Sequence, residues 1–277
     1  MAGRLTRPLD RALGAAIERA GAPGDVRYTE RQLYHQLCRV LLPRPAIRRP
    51  AFTLPAPVSY DRFRAALHRR GEVPGLVAPQ PLRIGTEDEL FDYGLPRLLV
   101  CQHPEIATML LANDLHMEAA CPVVSLADLP LDPRWMAALR AGNATVYVLH
   151  DASAAGLATT GQVRFRLAVA ARSPFGAEAD APGIRITPLG LRPAHAAALH
   201  LTASWSGEPV EVPLDGLHPW ERRWLAAGRV AEVAAVEPAR LVRTVHRLVR
   251  GQRRVRPGLP RLREVQTVGF MSWPSEG

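Results

Sequence analysis

The chain has 277 residues, 47% apolar and 22% charged, enough to bury a sizeable core and too apolar to be disordered along its length; a small domain followed by a larger one is the preferred arrangement. Its 35 basic residues are all arginine and outnumber 26 acids for a net charge of +9, which favours a polyanionic partner because the guanidinium fork suits phosphate. Cys38, Cys101 and Cys121 lie far apart with no CxxC pair or zinc-spaced histidines, and no run of about 18 apolar residues or N-terminal apolar leader occurs, so the expectation is a soluble, cytoplasmic protein with reduced thiols and no membrane contact.

Leu9, Ala12, Leu13, Ala16 and Ile17 have helical spacing, and Gly21 to Gly24 ends that pattern. The segment YTERQLYHQLCRVLL opens with a Thr29-x-x-Gln32 capping box and sets Leu33, Leu37, Val40 and Leu41 on one face. A proline-rich loop follows through Pro57, then a helix capped by Ser59 and closed by Gly71, then one or two short strands within 72–84. Helix, helix, loop, helix and short strands is the outline of a winged helix, although other small α+β modules share it.

From Leu98 the rhythm becomes strand, helix, strand. Strands are expected at LLVC, PVVSL, TVYVLHD and GIRITPLGL, and helices over 104–115, 133–140, 155–171 and PAHAAALHL. Such alternation argues for an α/β fold with a mainly parallel sheet, whose site lies at the carboxyl ends of the strands. Helices over 219–228 and 238–250 close the domain. The remainder reads as a basic, mobile C-terminal tail, with a strand in EVQTVGF that pairs with another subunit as the open alternative. The expected division is 1–82, 83–250 and 251–277.

The chemistry-bearing residues cluster at strand ends. TVYVLHDASAAGLA places Asp151 and Ser153 where a DxD pair would hold Mg²⁺ through oxygen ligands, with Gly156 where backbone passes closely. The first strand ends in Gln102, a neutral amide unable to exchange a proton, and Glu105 follows in the first helical turn, where a carboxylate also suits the macrodipole. His103, His150 and Asp151 also admit a soft-metal site or a His-Asp general base. Tyr34 sits at the edge of an apolar helical face. Arg31, His35 and Arg39 recur every fourth residue on the other side, against phosphates or in solvent.

These motifs together resemble the A subunit of topoisomerase VI, its meiotic double-strand-break relatives and the short bacterial members of that family. YTERQLYHQL is similar to the family's T-x-R-Q-L-Y-Y helix, YDRFRAALHRRGEVPGLVAP to the stretch after it, and ITPLGLRPAHAAALHL and VEVPLDGLHPWERRWLAAG to segments around its Toprim core, so the likeness spans most of 25–250. The resemblance implies an N-terminal winged-helix DNA-binding domain, a Toprim domain with a Rossmann-like sheet, a homodimer gripping duplex DNA, and membership of a larger DNA-processing complex. In cutting members a tyrosine attacks the phosphodiester beside Mg²⁺ held by Toprim acids. The nucleophile, the first-strand glutamate and the second DxD acid read here as His35, Gln102 and Ser153. The expectation is therefore a non-cleaving binding or assembly subunit without a cofactor, contacting DNA through Arg31, Arg39, Arg62, Arg64, Arg69, Arg70, Arg253 and Arg254. Two alternatives stay open. One is a Mg²⁺-dependent strand cleaver using Tyr34 or His35 with Glu105, Asp151 and Ser153; the other is a protein-interaction subunit that never touches DNA.

Overall fold

Apolar periodicity explains the first helices. Leu13, Ala16, Ile17 and Ala20 are buried along α1 (Gly3–Gly21). At the start of α2 (Glu30–Leu41) the Thr29 hydroxyl accepts from the Gln32 N–H at 3.1 Å, and the Gln32 side chain accepts from the Thr29 N–H at 2.9 Å. Ser59 caps α3 (Tyr60–Arg70), and Gly71 ends it with φ at 78°. The three helices share a core of Leu13, Ile17, Tyr28, Leu33, Leu37 and Phe63. The computed structural model describes residues 3–42, 52–78, 94–171, 183–206 and 216–251.

One expectation needs correction. Residues 72–78 form no strand; the chain turns there and makes a single parallel bridge between Leu76 and Tyr28, while 79–84 lie outside the described residues. The proline-rich loop instead supplies a two-residue strand, β1 (Leu54–Pro55). Pro55 is tolerated because that strand is an edge and its missing N–H breaks no ladder.

The α/β expectation stands as a four-stranded parallel sheet in the order β3-β2-β4-β5, formed by β2 (Arg97–Cys101), β3 (Val123–Ser125), β4 (Thr145–Leu149) and β5 (Arg185–Gly190). Alternation decides which core each side chain joins. Leu98, Val100, Val146 and Val148 pack with Trp135, Leu139 and Val163 on one face, whereas Leu99, Cys101 and Leu149 pack with Ile106, Leu110 and Leu241 on the other. Both faces are covered, which is why these strands read as continuous apolar runs. The covering elements include α4 (Pro104–Ala112), α5 (Leu115–Ala119), α6 (Pro133–Ala141) and α7 (Ala154–Ala171). The single helix expected over 104–115 is split, because Asp114 adopts φ of 55°, a left-handed conformation that asparagine and aspartate accept more readily than most residues.

A second sheet crosses the expected division near residue 82. In it β1 runs parallel to β6 (Thr202–Trp205), and β6 antiparallel to β7 (Arg229–Val230). The boundary itself lies outside the described residues, as do Arg253, Arg254 and the rest of the expected tail beyond Gly251. The remaining described helices are α8 (Pro193–Ala198), α9 (Pro219–Ala226) and α10 (Pro238–Val249). Among the described residues no helix is long and apolar enough to cross a membrane.

The Arg31-His35-Arg39 stripe is turned toward the rest of the chain, with the Arg31 side chain still 37% exposed. It forms the seam between the N-terminal helices and the rest of the chain. Arg31 Nε donates to Glu232 Oε2 at 2.6 Å and its Nη2 to Glu232 Oε1, while Arg39 Nη2 donates to the Ala235 carbonyl at 2.6 Å. His35, only 5% exposed, sits 3.1 Å from Glu232 Oε2 through Nε2 and 2.6 Å from Thr202 Oγ1 through Nδ1. Burial pushes the His35 imidazole down, so it is neutral, donating from Nε2 to Glu232 and accepting from the Thr202 hydroxyl at Nδ1. Burial alone would raise the Glu232 carboxyl, but hydrogen bonds from Arg31 and His35 win and hold it at about 2. Stability from this ionisation is thus present above the ordinary value of 4.5 and lost as pH falls toward 2. Glu232→Gln is expected to cost about 2–3 kcal/mol at neutral pH by urea denaturation, and to flatten the wild-type loss of stability in that acid window. An unchanged acid profile in the variant would show that Glu232 carries no such coupling.

Candidate functional site at the strand ends

The strand order reverses between β2 and β4, and a parallel sheet opens a crevice beyond its carboxyl edge at such a point. β2 runs out into Gln102 and His103, and β4 into His150 and Asp151. These residues bind one another. The Asp151 N–H donates to Gln102 Oε1 at 2.9 Å; His103 Nε2 lies 2.8 Å from Asp151 Oδ2, and the Val233 N–H donates to Asp151 Oδ1 at 2.7 Å. His150 Nδ1 donates to the Asp151 carbonyl at 2.9 Å, and burial pushes that imidazole down to its neutral form.

Ser153 belongs to the backbone of the turn. Its Oγ accepts from the Gly156 N–H at 2.8 Å, capping the entry to α7. Gly156 is required by close approach: a Cβ there would stand 2.1 Å from the Asp151 carbonyl oxygen, far inside van der Waals contact. Asp151, Ser153 and Gly156 therefore form a single tight strand-to-helix turn.

A cleft of about 800 Å³ lies between the N-terminal helices and this edge, with Thr29, Arg31 and Tyr60 on one side and His103, Glu105 and Asp151 on the other. The side chain of Asp151 is 6% exposed and that of His103 is 45% exposed. The hydrogen bond to Asp151 raises the pKa of His103 despite the opposing effect of burial. The cleft is acidic on balance, since Glu30, Glu72, Glu105, Asp151 and Glu232 line it against Arg31 and His103. Bare phosphate would be repelled from its interior.

The side chains at the strand ends are largely committed to the chain itself. Both Asp151 oxygens are engaged, by an imidazole and a backbone N–H; Ser153 Oγ accepts the helix-cap hydrogen bond; and Gln102 is turned onto backbone. Glu105 lines the same cleft, exposed in the first turn of α4. Among the described residues no group of three or more His, Cys, Asp or Glu side chains could hold a metal ion.

Tyr34 sits in the N-terminal core, 6% exposed, its hydroxyl donating to the Val58 carbonyl at 2.8 Å and its ring against Tyr60 and Phe63. Burial pushes the phenol up to about 12, which disfavours the phenolate a nucleophile needs. On α3 the arginines are exposed, but Arg64 pairs with Glu30 at 3.3 Å and Arg69 with Asp10 at 3.0 Å. Sequence reasoning missed Glu232 and the Val233 N–H. Their one signal is an acid alone in the apolar run 230–236, where a charge needs a partner once buried.

Comparison of the chain with protein-family models, with curated proteins and with solved structures gives no match.

Because the folded pKa of His103 is raised, the stability from its pairing with Asp151 is present at and below the ordinary histidine value and lost as pH rises through the folded one. In Asp151→Asn the His103 pKa is expected to fall, read by ¹⁵N histidine NMR titration, with about 1–3 kcal/mol of stability lost near pH 6. A His103 titration curve that does not move would rule the pairing out.

Proposed function

We propose that this chain is a duplex-DNA-binding protein of winged-helix plus Toprim plan, akin to the topoisomerase VI A subunit, in which the strand-end site serves as a structural joint and strand cleavage has been lost. The observation that carries this reading is the state of Asp151. Each of its oxygens accepts a hydrogen bond from the chain itself, from His103 and from the Val233 N–H, and the side chain is only 6% exposed, which ties it into the fold. The three positions where cleaving members carry a nucleophile, a first-strand glutamate and a second acid are likewise spent. His35 is locked onto Glu232 and Thr202, Gln102 onto the Asp151 N–H, and Ser153 onto the Gly156 N–H. Binding rests on arginine and phosphate at the outer surface, since the net charge is +9 while the cleft is acidic. A homodimer and a larger DNA-processing assembly belong to the same proposal.

The test pairs two measurements on the full chain. Affinity for a non-specific duplex is expected to fall steeply with salt and to be nearly the same in Asp151→Asn, while supercoiled plasmid with Mg²⁺ or Mn²⁺ stays uncut. Nicking that requires metal and disappears in Asp151→Asn would return the chain to the cleaving class. Absence of duplex binding at low salt would point to a protein-interaction subunit.

One observation favours a second reading. His103 is half-exposed, hydrogen-bonded by a buried aspartate and faces the cleft, the arrangement of a His-Asp general acid or base. On that reading hydrolysis at neutral pH would persist in EDTA and vanish in His103→Ala.

A further inference from the structure

The last helix among the described residues carries a feature that neither the strand ends nor α3 explains. Leu241, Val245 and Val249 of α10 are buried in the core shared with the sheet. Arg240, Arg243, Arg247 and Arg250 recur at intervals of three and four, and at 100° per residue they fall within an arc of about 80°. Arg240, Arg243 and Arg250 are exposed and Arg247 is half-buried. Among the described residues none of the four guanidiniums pairs with a carboxylate; Arg243 Nε donates to the Ala239 carbonyl one turn back, at 3.2 Å. The segment 238–251 contains no Asp or Glu.

Considered as a helix alone, this stripe is unfavourable. Neighbouring like charges at i+3 and i+4 repel by a few tenths of a kcal/mol per pair. Arg247 and Arg250 gain from the negative end of the helix macrodipole, but Arg240 stands in the first turn, where a cation opposes it. On α3, by contrast, two of the arginines are neutralised by Glu30 and Asp10. An unneutralised row of guanidiniums on a rigid helix gains most beside a polyanion of matching spacing. From Arg240 to Arg250 the helix runs about 15 Å, a length over which duplex DNA presents roughly nine phosphates. α1 packs against both α10 and α3, so the two arginine-bearing helices share a neighbour.

We infer that α10 is a phosphate-contacting element that lies along the backbone of duplex nucleic acid through Arg240, Arg243, Arg247 and Arg250. This inference rests on the DNA-binding reading and adds to it a surface that the sequence motifs do not mark. Its contacts position the duplex and carry no base preference, because a guanidinium on phosphate reads charge and spacing alone.

The test uses the full chain and a fluorescein-labelled duplex of about 20 base pairs, with affinity followed by anisotropy from about 50 to 200 mM salt. Replacing all four arginines by glutamine, which keeps helix propensity, should reduce the slope of log affinity against log salt by about 3–4 and weaken binding at least about tenfold. The milder R240Q/R243Q pair should remove about 2 from the slope, and it decides the matter if the fourfold variant melts early by circular dichroism. A steep wild-type slope that both variants retain overturns the stripe and leaves the DNA reading standing. No salt-dependent binding by the wild type overturns both. Phosphatidylserine vesicles provide the remaining arm: binding to them that the variants lose, with the slope on DNA unchanged, assigns the stripe to an anionic membrane surface and overturns the proposal.

Discussion

Two adjacent residues hold the architecture together. The Glu232 side chain receives Arg31 and His35 from α2, and the N–H of Val233 reaches the Asp151 carboxylate at the end of β4. One short stretch thus ties the N-terminal helices to the carboxyl edge of the sheet. The arrangement is stable only as a set. Removing one partner of a buried charge leaves the others desolvated and unpaired, which costs more than the intact pair contributes. The second sheet reinforces the same seam, with β1 of the proline-rich loop paired to β6, and Thr202 of β6 hydrogen-bonded to His35.

That seam sets the electrostatics on either side of it. The cleft it closes is lined by more carboxylates than cations, whereas arginines occupy the exposed sides of α3 and α10. A charge distribution of this kind keeps a polyanion on the outside of the molecule and leaves the cleft for cationic or neutral groups. Arg31 and Arg39, which sequence spacing placed on an outer stripe, are spent on Glu232 and on the Ala235 carbonyl.

The strand-end residues have a related logic. Gln102, Ser153 and His35 each make a hydrogen bond that suits the chemistry of the side chain. The Gln102 amide accepts from a backbone N–H, the Ser153 hydroxyl caps α7, and the neutral His35 bridges an acceptor and a donor. The turn keeps its shape because Gly156 admits the Asp151 carbonyl. His103 retains chemical character, being oriented by a buried carboxylate and open to the cleft.

The local elements were legible in the sequence because their causes are local. The Thr29 capping box, the Ser59 cap with Gly71, the apolar strands at Leu98 and Val146, and the close-approach glycine in the turn at Asp151 each follow from a few neighbouring residues. Sequence spacing also brought Gln102, Asp151 and Ser153 to one edge, since parallel strands end together. It could not say which side of α2 faces the sheet, because arginine and histidine pattern alike on a solvated face and on a charged seam. The split at Asp114, the edge strand at Leu54 and the partners of Glu232 were decided only in three dimensions. Their physical reason is common: each depends on a group about 150 to 200 residues away in the chain, or on a single backbone dihedral, and neither leaves a period in the sequence.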